Sequence, residues 1–167
     1  MVQTPLSERE QDFDDLAGLA ATICDAPIAS IALVDSDQVW FNARTGVEVD
    51  EIPRDLALSA EALATDDVFV VSDTAADERY REMAVADLGI RFFGCAPLVA
   101  PSGARLGAVC VLDHRPRELT AAQADALRAI ARQAITQLEL RRLSQSEGAA
   151  RRRFRMLVEQ LRGVTYI

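Results

Sequence analysis

The chain has 167 residues, half of them hydrophobic, with 26% charged residues and a formal net charge of −8. That length supports one compact domain with a real core and one appended element, and it excludes two large domains. No apolar run approaches the roughly 18 residues of a membrane span, and no basic-then-apolar leader opens the chain, so a cytoplasmic protein is expected.

The charge is uneven. Residues 141 to 167 hold seven arginines against Glu147 and Glu159, a balance of +5, which leaves −13 on residues 1 to 140. An acidic body repels phosphate, so nucleic acid is not an expected partner. All 18 basic residues are arginine, which excludes Schiff-base or catalytic-amine chemistry in this chain. Cys24, Cys95 and Cys110 are odd in number, lie in apolar stretches and form no CxxC, so they read as buried hydrophobes rather than a disulfide framework. With His114 as the only histidine, no protein-built metal site is expected.

In chain order, Ser7-Glu8-Arg9-Glu10 has a capping-box pattern, and Phe13, Leu16, Leu19, Ala20 and Ile23 follow at helical spacing. Ile28 to Val34 and Val39 to Arg44, separated by Asp35-Ser36-Asp37, read as a hairpin. Pro53-Arg54-Asp55 reads as a turn into a short helix through Leu56, Ser59, Ala60 and Leu63. Val68 to Val71 is a short strand, and a loop with Asp73 and Asp77 leads into a short helix through Tyr80, Met83, Ala84 and Leu88 that Gly89 stops.

Ile90 to Ala100 and Arg105 to Asp113 flank Pro101-Ser102-Gly103 and pair as a second hairpin. Thr120 opens a long helix with Ala124, Leu127, Ala131, Ala134 and Leu138 near heptad spacing. One stripe can face the sheet while another stays free, and the near-heptad spacing predicts a homodimer through the N- and C-terminal helices. Gly148 is read as interrupting the helix, and Val164-Thr165-Tyr166-Ile167 as turning strand-like.

Five segments carry a family resemblance: Asp35 to Phe41, Ile52 to Asp55, Val70 to Asp73, Ile90 to Leu98 and Leu106 to Asp113. Together with Pro116-Arg117-Glu118-Leu119-Thr120 before a helix, they closely resemble a bacterial GAF domain over about residues 12 to 142. The resemblance implies a sensory module of the kind found in sensor histidine kinases and cyclic-di-GMP enzymes such as diguanylate cyclases. Residues 149 to 167 look like the opening of a PAS domain. The implied domains are a GAF-like sensory domain over 1–145, signalling helix included, and a linker with the start of a truncated PAS-like domain over 146–167.

The departures bear on chemistry. Relatives often carry Phe-Cys-Ala-His where this chain has Leu58-Ser59-Ala60-Glu61, and the Cys-His pair of bilin-binding relatives is missing. The Asn-Lys-Phe pattern of cyclic-nucleotide-binding relatives and the clustered cysteines of free methionine sulfoxide reductases are also missing. No cofactor and no catalytic residue are therefore assigned.

Seven residues are expected to line a pocket. Arg54 could fork onto an anionic ligand, or form a salt bridge to Asp55 or Asp73. Trp40, the only tryptophan, could stack on a ligand or simply pack. Tyr80 could cover the pocket or be a partly exposed anchor, and Arg91 and Phe93 share one face of their strand. Ser59 and Asp73 complete the set. Cys95 and Cys110 fall on paired strands, where a redox role needs adjacent sulfurs and core packing does not.

The architecture expected is α+β: a central antiparallel sheet of five or six strands, the long terminal helices on one face, and short helices or loops over a pocket on the other. Three functions follow in order: sensing an unidentified small molecule or relaying a signal, dimerising and transmitting with no ligand, or a methionine-sulfoxide-reductase-like enzyme. No membrane segment and no metal enter any of them.

Overall fold

The computed structural model describes residues 8–34, 38–45, 51–53, 64–82 and 89–165, with side chains for 11–33, 64–82, 89–140, 143–144 and 147–160. The first helix, α1, spans Glu8–Ile23. Its expected apolar face is buried only in part: Phe13 and Ala20 are buried, with Ala17 beside them, while Leu19 and Ile23 stay about half exposed. Asp25 then takes the left-handed conformation (φ 50°) that ends helices.

Six strands follow: β1 (Ile28–Val34), β2 (Gln38–Thr45), β3 (Glu51–Pro53), β4 (Phe69–Val71), β5 (Phe92–Val99) and β6 (Arg105–Asp113). They form one sheet in the order β3-β2-β1-β6-β5-β4. Every neighbouring pair is antiparallel. Both expected hairpins form, and β1 joins them by pairing with β6, far away in sequence. At Gly107, opposite Leu33, a Cβ would come within 1.9 Å of the Ala32 carbonyl oxygen. Glycine lets the two hairpins approach that closely.

Alternation divides the sheet into two faces. On one face Ile31, Val109, Val111, Phe92, Ala96 and Leu98 are buried. Helix α1 packs against β1, β2 and β6. The second helix, α2 (Ala121–Thr165), opens with a reciprocal cap: the Gln123 backbone N–H donates to Thr120 Oγ1 at 3.1 Å, and the Thr120 N–H donates to Gln123 Oε1 at 3.0 Å. Gln123 also donates to the Ile23 carbonyl at the end of α1. Arg128 forks onto Asp67, its Nε at 2.6 Å and its Nη2 at 3.1 Å, and so ties α2 to the loop before β4.

Arg117 is the clasp of this face. Its guanidinium donates to the carbonyls of Cys24 and, at 2.6 Å, Asp25, two acceptors that the end of α1 leaves open. It also lies 3.2 Å from the buried Asp113 carboxylate and 5.3 Å above the Phe92 ring.

Several expectations change. The Ala/Leu stripe of α2 does not stay free, because Leu127, Ala131 and Ala134 are buried, together with Ile130. Gly148 does not interrupt α2, which runs unbroken through it, and Val164 and Thr165 are still helical. A glycine weakens a helix by only about 1 kcal/mol, and strong formers flank this one. Residues 78–82 form turns where a helix was expected, and β3 occupies residues read as the approach to a turn. The helix expected over 55 to 63 and the rest of the 77 to 88 segment, from 83, lie outside the described residues, as do 166–167. The chain divides into two compact units, Met1–Ile135 and Thr136–Ile167.

Candidate functional site

Of the expected pocket residues, Phe93 and Tyr80 join the second face of the sheet. Phe93, Cys95, Ala108, Cys110 and Ile28 point to it from β5, β6 and β1, and they form one buried cluster with Val71, Ile90 and Tyr80. Tyr80 arrives from the turns after β4 and is buried. Its ring meets Phe69 edge-on at 6.3 Å, and Phe69 meets Phe93 edge-on at 6.5 Å. Tyr80 is a buried ring rather than a partly exposed anchor, with the Arg79 guanidinium 4.9 Å from its centroid.

Asp73 and Arg91 are brought together across 18 residues. Arg91 Nε donates to Oδ1 at 2.8 Å and Nη2 donates to Oδ2 at 2.9 Å, a bidentate fork. The fork holds the Asp73 carboxyl below the usual carboxylate range, helped by the backbone N–H of Ala75, and pushes the Arg91 guanidinium up. Thr74 fastens the same loop. Its N–H donates to the Arg91 carbonyl at 2.7 Å and its buried hydroxyl donates to the Ile90 carbonyl at 2.6 Å. Beside the loop lies an open cleft of about 590 Å³, lined by Val70, Ser72, Asp73, Asp77 and Arg79 among others.

Trp40, on β2, pairs with Leu33 of β1 and Glu51 of β3, and its side chain lies outside the described set. Arg54 and Ser59 lie outside the described residues. Asp73, one partner considered for Arg54, is forked by Arg91. Phe69 and Thr74 were missed by sequence reasoning. Phe69 carried a readable signal, an aromatic on a strand next to β5, whereas the role of Thr74 depends on a partner 16 residues away.

Cys95 and Cys110 stand directly opposite each other on β5 and β6. Burial pushes the Cys95 thiol well up, and the hydrogen bond with Cys110 adds to it. Cys24 is raised as well, chiefly by burial, with Arg117 opposing. Both effects favour the neutral thiol, which is a poor nucleophile and packs as a small hydrophobe. Among the described residues no group of His, Cys, Asp and Glu could hold a metal ion.

The family model for the GAF domain matches residues 8–138. The chain belongs to the GAF domain family. A cyclic di-GMP phosphodiesterase of Pseudomonas aeruginosa is 33% identical over 110 residues, which is 65% of this chain. The GAF chain spans about a fifth of that relative's length, 19%. Among solved structures, a domain assigned to a two-component sensor histidine kinase of Sinorhizobium meliloti superposes with TM-score 0.65 at 20% identity, covering 83% of this chain and 96% of that one. Free methionine-R-sulfoxide reductase from Neisseria meningitidis superposes with TM-score 0.67 at 18% identity, covering 81% of each chain. At such identities the likeness is one of fold. The GAF fold here is α+β, and the relatives include signalling proteins.

Proposed function

We propose that this GAF domain is a non-catalytic sensory and relay module of a bacterial signalling protein. It takes a small molecule over the Tyr80 face or a bias from a neighbouring element, and passes it along α2 to an output domain. The output is a kinase or a cyclic-di-GMP enzyme, and residues 146–167 are the linker into it, with a PAS domain as the first candidate to follow. The working unit is a cytoplasmic homodimer held through its terminal helices. The observation that carries the reading is the continuity of α2, which is buried at Leu127, Ala131 and Ala134 and stays helical to Thr165. A helix rooted in a core is an element whose position a ligand or a neighbour can bias.

Relay with no ligand is favoured over sensing by one detail. Arg91 and Asp73 are engaged with each other, and Tyr80 and Phe93 are buried, so four expected ligand groups already serve the fold. Native mass spectrometry of the freshly purified chain separates the two. The expected spectrum is a dimer: a reproducible added mass identifies a sensor, and a clean dimer identifies a relay. A monomer at every concentration overturns the dimeric reading.

A further inference from the structure

Cys95 and Cys110 are buried nucleophilic groups that the relay leaves without a task. They stand in direct register on β5 and β6, and their side chains share a hydrogen bond. Residues opposite each other on antiparallel strands have Cα atoms about 4.5–5.5 Å apart, inside the roughly 4.4–6.8 Å that a disulfide spans. The pair belongs to a row across the second face, Ser30, Cys110, Cys95 and Phe69, running from β1 to β4. Each sulfur therefore has the other as its cross-strand thiol neighbour. Cys24, just past the end of α1, lies outside their cluster.

The cover over this row is held by few ties. Tyr80, Phe69, Val71 and Phe93 pack in the same cluster as the thiols or against it. Tyr80 comes from turns in which Glu78, Arg79 and Arg81 are exposed, and the loop before them is fastened by the Asp73–Arg91 fork and by Thr74. Val71 belongs to the cluster and also lines the open cleft of about 590 Å³, so the cleft adjoins the thiols' surroundings through that side chain.

We propose that Cys95 and Cys110 are an oxidant-responsive modification site, which closes to a cross-strand disulfide when a hydroperoxide passes the Tyr80 cover. One sulfur attacks the terminal oxygen of the hydroperoxide and the O–O bond breaks. The alcohol, or water from hydrogen peroxide, leaves with the thiol proton, and a sulfenic acid remains. The second sulfur attacks the first, the S–O bond breaks, and hydroxide leaves with the second thiol proton as water. Two thiols together lose two electrons, and one peroxide bond gains them. A disulfide suits this place because it is uncharged and no larger than two thiols, whereas a sulfinate would bury an unpaired charge among Ile28, Ala108 and Phe93. While the cover is closed the thiols are neutral and slow to react, so opening sets the rate. The inference rests on the sensory reading of the second face and names thiol oxidants as a class of signal there.

The test is incubation of the reduced 167-residue chain with hydrogen peroxide, followed by denaturation, alkylation of free thiols and tryptic mapping. Arg105 lies between the two cysteines, so trypsin turns the bridge into a linked pair of peptides. The expected product links Cys95 to Cys110 and leaves Cys24 alkylated, and Cys95→Ser is expected to abolish the link. Tyr80→Ala removes the cover and is expected to speed bridging about tenfold or more. Asp73→Asn loosens the loop and is expected to speed it about twofold to threefold. Leu127→Ala weakens the core from α2 and is expected to change the rate less than about twofold, because access depends on local opening. Circular dichroism checks folding, and if Tyr80→Ala does not fold, Asp73→Asn decides the cover alone. Three alkylated thiols after prolonged exposure, or a link that includes Cys24, overturn the site. Acceleration by Leu127→Ala equal to that of the cover variants overturns the cover. Either result leaves the relay standing, since the continuity of α2 that carries it involves neither cysteine.

Discussion

Two stretches of one helix carry similar apolar spacing and meet opposite fates. In α2, Leu127, Ile130, Ala131 and Ala134 are buried, whereas Leu140, Leu143, Phe154 and Leu157 are at least half exposed. The first stretch is rich in alanine and the second in leucine and arginine, yet both have apolar residues three and four apart. Local pattern therefore says that a face is available for burial, while the neighbours decide whether it is buried in this chain. The first stretch enters the core, and its cap reaches the end of α1; the second stays exposed.

The sharpest way to break this comparison is truncation at matched positions. Leu127→Ala is expected to cost about 2–5 kcal/mol, because it leaves a cavity in a packed core. Leu143→Ala, measured by urea unfolding in dilute solution, is expected to cost less than about 0.5 kcal/mol. Equal losses at the two sites would show that the second stretch is packed within the single chain.

A smaller effect tests what holds the first stretch in place. Arg117→Ala removes the donor from two helix-end carbonyls and leaves the Asp113 carboxylate, only 4% exposed, without its closest guanidinium. Loss of that closest partner from a buried carboxylate makes about 2–4 kcal/mol the expected loss in urea unfolding. Amide exchange is expected to quicken at the end of α1 and to stay unchanged beyond Thr136. Uniform quickening would contradict the clasp.

The smallest effect concerns the loop over the second face. Asp73 has its folded pKa lowered by Arg91, so the pair stabilises the fold fully above about pH 4, the ordinary aspartate value, and loses its effect as pH falls through the lowered value. Asp67 and Asp77 behave alike beside Arg128 and Arg79. Asp73→Asn is therefore expected to flatten, without abolishing, the fall in melting temperature between pH 5 and about pH 2. An unchanged acid limb would show that the fork contributes nothing to folding.

Much of the fold was legible because its signals are local. β-branched runs bounded by turn residues marked both hairpins, and Thr120 marked the start of α2. The failures were also local readings. Gly148 was read as an interruption although strong helix formers surround it. β3 was missed because three residues holding a proline look like a turn until β2 supplies their partner. In the candidate site, Asp73, Tyr80, Arg91 and Phe93 were picked from residue type, yet their partnerships were not visible. Asp73 and Arg91 are 18 residues apart, and the Tyr80 and Phe93 rings meet only through Phe69.

By itself the sequence determined the α+β class, the two hairpins, the acidic body with its arginine-rich end, and the thiols as core residues, because these follow from period, composition and neighbours along the chain. Only the tertiary structure decided that β1 joins β6, that Arg117 closes the end of α1, and that the Ala/Leu stripe is consumed by the core while Leu140 and Leu143 stay exposed. The physical reason is the same in each case. Burial and charge pairing are properties of groups that meet in space, and a period along the chain fixes which side a residue faces, not what waits there.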